Sequence, residues 1–132
     1  MTIPIKNSEE IEKMRLAGRL AAQLLDYIEP FIKPGVTTNE LNDLCHRYQL
    51  DIQGTIPAPL NYGQPPFPKS ICTSVNHVIC HGIPNDKLLK KGDIINIDIT
   101  VVPHFHRHHL HAHHLRRGRV GAMRRGRNEA DI

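Results

Sequence analysis

The chain has 132 residues, 39% of them hydrophobic and 23% charged, enough for one ordinary globular domain and too few for two. No apolar run approaches the ~18–20 residues of a membrane-spanning helix, and the N-terminal MTIPIKNSEE lacks the basic-then-apolar layout of a signal peptide. Three cysteines without a CxxC argue against a disulfide framework, so a cytoplasmic protein is expected.

The net charge of +4 is unevenly placed. Residues 1–102 carry 10 Lys+Arg against 11 Asp+Glu, whereas residues 103–132 carry 7 Arg against 2 acids. Attraction to a polyanion would therefore concern the tail alone.

Asn7 or Ser8 can cap a first helix whose opening turn holds Glu9, Glu10 and Glu12, favourable at the positive end of the helix dipole. Ile11, Met14, Gly18, Ala21, Leu25 and Ile28 recur at helical spacing as one apolar stripe, and Pro30 ends it. Thr37 with Glu40 forms a capping box for a second helix that buries Leu41, Leu44, Cys45 and Tyr48. Both helices read as core-packing scaffold. Residues 55–68, TIPAPLNYGQPPFP, hold five prolines and predict a rigid surface loop. SICTSVNHVICHGIP predicts two short strands around Asn76, and NDKLLKKGD a polar turn. Ile95, Ile97, Ile99 and Val101 then alternate with Asn96, Asp98 and Thr100, the clearest strand in the chain.

Asp98 is the first candidate functional residue. Asp is depleted from strand interiors, so a mid-strand carboxylate is either a solvated group on a one-sided sheet or an oxygen ligand aimed into a cleft. His81 is the second. At a strand end beside Gly82, it suits proton transfer or orientation of a carbonyl, although an ordinary surface histidine reads the same way. Cys80 reads as a small buried hydrophobe.

Taken in order, EIEKMRLAGRLAA, LLDYIEPFIKPGVTTNEL, LNYGQPPFPKSICTSVNHVICHGIP and LLKKGDIINIDITVV resemble the type I methionine aminopeptidases over about residues 3–102. The resemblance implies an α/β chain: the N-terminal half of a pita-bread (creatinase/aminopeptidase-like) fold, with helices packed on an antiparallel sheet. It implies divalent metal cations as cofactors, a pair per site, with Co, Mn, Fe, Ni and Zn not distinguished. Nascent polypeptide N-termini would be the substrate, with transient ribosome association, a monomer, and no membrane or specific nucleic-acid partner. Residue by residue, Asp98 matches a bidentate metal ligand. His81 matches the catalytic, substrate-contacting histidine, and Tyr62, Phe67 and Cys72 fall where the family lines its methionine pocket.

After Val102 the resemblance stops. The family's second aspartate, its later histidine and its two glutamates are not matched, and the chain instead reads PHFHRHHLHAHHLRRGRVGAMRRGRNEADI. This divides the chain into residues 1–102, the first half of the catalytic domain, and residues 103–132, a His/Arg-rich tail that reads as disordered. The abrupt change suggests a reading-frame shift near codon 102. Seven histidines between His104 and His114 would bind Ni²⁺, Zn²⁺ or Cu²⁺, and Arg116–Arg127 would attract RNA without specificity. A small non-catalytic metal- or RNA-binding protein is thus the competing expectation, and so is an accidental tail with incidental affinity.

Overall fold

A computed structural model describes residues 5–103 and the backbone of residues 112–119. Helix α1 runs Ser8–Ile28. The Asn7 side chain accepts from the Glu10 amide at 2.9 Å, and the Glu10 carboxylate accepts from the Asn7 amide at 2.8 Å. This reciprocal cap satisfies two amides that the first turn would otherwise leave bare. Ala17, Ala21, Leu24, Leu25 and Ile28 are buried, whereas Ile11 is exposed, so the buried face begins later than the apolar stripe suggests. Pro30 sits in a 3₁₀ turn, Glu29–Phe31, that closes the helix.

Helix α2, Thr38–Arg47, starts at the expected capping box, with the Thr37 amide donating to Glu40 at 2.7 Å. Leu41 and Cys45 are buried, Leu44 and Tyr48 pack against the core, and Tyr48 stacks on Tyr27 with ring centroids 4.2 Å apart. A π-helical turn, Tyr48–Gln53, follows and ends at Gly54, whose φ of 58° suits glycine.

The sheet is antiparallel and built on one long strand. Strands β1 (Thr55–Pro57), β2 (Cys72–Val75) and β4 (Ala112–Arg119) all pair with β3 (Ile94–Pro103). Thr55 pairs with Pro103, Cys72 with Asp98, and Asp98 also with Leu115. Because β4 opposes β3 where β1 and β2 also do, β4 holds one edge of β3 and the other two share the opposite edge. Ile95, Ile97, Ile99 and Val101 are buried in one cluster with the α1 side chains, as their alternation predicts.

Four expectations are corrected. The tail is not disordered throughout: residues 112–119 form β4. The free edge of β3 offers unpaired backbone donors and acceptors, and a partner strand satisfies them whatever its side chains. The remaining tail expectations, on residues 104–111 and 120–132, lie outside the described residues. Thr55–Pro57 is a strand rather than loop, because β3 extends far enough to pair with it. SICTSVNHVICHGIP yields one strand, since Asn76 and His81 take left-handed backbone angles, φ 54° and 53°, that break a ladder. NDKLLKKGD is not wholly polar: Leu89 is 3% exposed in the core, and its amide donates to the Val36 carbonyl at 2.8 Å.

Candidate functional site

β3 carries Asp98 on the row of Asn96 and Thr100, opposite the isoleucines. Asp98 is half-buried, its Oδ1 is screened from solvent, and Thr100 on the same row is buried. A carboxylate so placed is not a freely solvated group on a one-sided sheet. Its register partner Cys72 is 7% exposed, and its thiol is pushed up to about 11 by burial first, then by the negative Asp98 and by Cys80. At neutral pH the Cys72 thiol is therefore protonated.

His81 lies on the segment returning from β2 and is exposed. Its left-handed backbone is held in place by its neighbour. The Thr73 amide donates to the Gly82 carbonyl at 2.8 Å, and the Gly82 amide donates to the Ser74 hydroxyl at 3.2 Å. A Cβ on Gly82 would stand 2.1 Å from the Thr73 carbonyl oxygen. Only glycine fits there.

Of the methionine-pocket candidates, Cys72 alone is a register partner of Asp98. Tyr62 is 78% exposed on the proline-rich loop, and Phe67 is half-buried there. The loop closes on itself through the Phe67 amide to the Tyr62 carbonyl, 2.8 Å. Cys80 is exposed, not a buried hydrophobe.

The metal expectation meets a limit in the donor set. Among the described residues, no group of three or more His, Cys, Asp or Glu side chains could hold a metal ion. A hard divalent cation needs several convergent oxygen or nitrogen ligands. These residues do not fit a metal pair, and no hydrolytic step can be derived through one.

Two features were not legible in the sequence. His46 Nδ1 lies 2.7 Å from the Ser70 hydroxyl, and Asn42 Oδ1 accepts from the Ser70 amide at 2.8 Å, which ties α2 to the entry of β2. An apolar groove opens beside Thr73, its walls drawn from separate segments that no local motif connects.

Comparison with known proteins accords with this fold. The model of metallopeptidase family M24 matches residues 12–110. The methionine aminopeptidase of Rickettsia prowazekii is 62% identical over 102 residues, covering 77% of this chain but 38% of that protein. Its crystal structure superposes with a TM-score of 0.72 at 61% identity over 76% of this chain and 39% of its own. The Thermotoga maritima methionine aminopeptidase gives a TM-score of 0.80 at 30% identity over 91% of this chain and 46% of its own. The chain thus spans about two fifths of the curated relatives it matches. With helices laid on an antiparallel sheet, and with the family match covering most of its length, the chain belongs to metallopeptidase family M24.

Proposed function

We propose that residues 1–102 are the first part of a methionine-aminopeptidase-type catalytic domain and that this chain, as it stands, does not cleave peptides. In the complete domain, N-terminal methionine would be removed from nascent polypeptides in the cytoplasm by metal-assisted hydrolysis, by a monomer in transient contact with the ribosome. The observation that carries this is the half-buried Asp98 in a sheet whose described residues form no group of three or more possible metal ligands. Asp98 would give one carboxylate to a divalent cation, and His81 would contact the substrate near the scissile peptide. Tyr62, Phe67 and Cys72 would contribute to the methionine pocket. Residues 103–132 would derive from a shifted reading frame; the other two frames of the coding DNA, searched for the family's second aspartate, test this.

The chain should release no methionine from a Met-Ala-Ser peptide with Co²⁺, Mn²⁺, Fe²⁺, Ni²⁺ or Zn²⁺. Robust turnover would overturn the reading. In a protein continued past Val102 in the restored frame, metal-dependent activity should appear. There Asp98→Asn should lose metal and activity together, while His81→Ala should keep metal and slow by roughly 10²–10⁴.

A second reading, a non-catalytic metal- or RNA-binding protein, draws support from β4, where His113, His114, Arg116 and Arg117 belong to a paired strand. It requires metal uptake of defined stoichiometry that is lost on unfolding.

A further inference from the structure

Thr73 pairs with Ile97, so it lies on the row of the buried isoleucines, on the face of the sheet turned away from Asp98. There an apolar groove of about 520 Å³ opens, walled by Val75, Val78, Ile83 and Leu88. Ile83 is 51% and Leu88 59% exposed. A small-molecule site encloses most of its ligand, whereas a groove with walls this exposed suits a segment of chain laid along it. Two polar features say what that segment carries. Thr73, among the lining residues, is 4% exposed, and its hydroxyl oxygen, screened from solvent, has no hydrogen-bond partner. A buried hydroxyl left unpaired is costly, and a main-chain carbonyl entering the groove would accept from it. Lys87 and Lys90, also on the lining, are exposed, and among the described residues neither forms an ion pair. The carboxylate on the lining, Asp93, is already engaged: one oxygen accepts from the Asn76 side chain at 3.0 Å and the other from the Lys90 amide at 2.8 Å. Two lysines against one aspartate leave the lining net positive.

We infer that this groove is a docking surface for an extended, acidic and apolar peptide segment of a partner protein. Its aliphatic side chains lie between the four walls, a main-chain carbonyl accepts from the Thr73 hydroxyl, and its carboxylates meet Lys87 and Lys90. A second copy fits less well, because a two-fold contact across the groove sets these lysines against their own counterparts. A polyanion such as RNA would leave the apolar walls uncovered. The groove lies on the face opposite Asp98, so the docking surface uses none of the catalytic candidates and does not depend on the reading of them.

The test is fluorescence polarisation of the full chain with a fluorescein-labelled hexapeptide that alternates leucine and glutamate, at physiological salt. A control peptide with serine in place of leucine has the same charge and reads attraction to the basic tail alone. Saturable binding of the leucine peptide is expected, about tenfold or more tighter than that of the serine peptide. Leu88→Glu and Lys87→Glu, both at exposed positions, should each weaken it by about tenfold or more, the scale of a central interface residue. Thr73→Val keeps the shape of the side chain and removes the unpaired hydroxyl. It should raise the urea midpoint of the free chain and yet weaken the peptide, opposite signs that a merely structural residue would not give. Arg15→Ala, on the exposed side of α1, should leave binding unchanged. Equal affinity for the two peptides would assign the attraction to the tail and overturn the inference. Affinity indifferent to any of the three groove variants would do the same. A homodimer that Leu88→Glu dissolves would assign the face to a second copy and overturn it equally.

Discussion

At the scale of single residues, Gly82 and the thiols are the most constrained. Gly82→Ala must push a Cβ into the Thr73 carbonyl, which lies on a backbone that cannot swing aside. A loss of about 1–3 kcal/mol is expected from such overpacking, measurable by urea denaturation. The thiols differ by burial. Cys45 is pushed up to about 12 and Cys72 to about 11 from 9.0, chiefly because burial penalises the thiolate. Both pKa values are raised by folding, so the neutral thiols stabilise the fold fully below pH 9. That contribution fades as pH climbs from 9 through 11 and 12. The melting temperature should therefore fall across this window, and less steeply in Cys72→Val. At pH 8 a maleimide should modify exposed Cys80 first and reach Cys45 and Cys72 only on unfolding.

At the scale of elements, α2 is held at its start by its cap and by a distant strand-like segment. The Thr38 hydroxyl donates to the Asn85 carbonyl at 3.1 Å and accepts from the Asn85 amide at 2.9 Å. Thr37→Ala removes the cap and should cost about 0.5–2 kcal/mol in chemical denaturation. Leu89→Ala should cost more, about 2–5 kcal/mol, because it opens a cavity in the core. If Leu89→Ala proved as mild as a surface change, the 85–93 segment would be a plain turn after all.

At the scale of the whole molecule, only the short strands β1 and β2 share one edge of a ten-residue central strand, and the groove leaves apolar surface open. The fold should be marginal, with aggregates on size exclusion or a weak transition; a sharp monomeric melt above ~60 °C would count against an incomplete domain. Without any added tag the protein should bind immobilised nickel through the crowded imidazoles of residues 104–114. Deleting residues 103–132 should abolish retention. Because that deletion also strips β4 from β3, a full-length variant with the seven histidines changed to Gln is the cleaner measurement. Retention by either variant would move the metal site into residues 1–102.

Much of this was legible because it depends on local periodicity and local bonds. Asn7 and Glu10, Thr37 and Glu40, and the alternation from Ile95 to Val101 act within a few residues, so the sequence by itself determined both helix starts and the central strand. It also marked Asp98 and His81, since a carboxylate within an isoleucine ladder and a histidine beside a tight glycine break the pattern around them. Contacts between distant segments needed the tertiary structure. Nothing near Leu89 announces that the turn doubles back onto Val36, and Thr55–Pro57 becomes a strand only because β3 runs far enough to meet it. Residues 112–119 have no apolar alternation, yet they pair because β3 has an edge to fill. Strand pairing is a bond between backbones, and backbone groups are the same in every sequence.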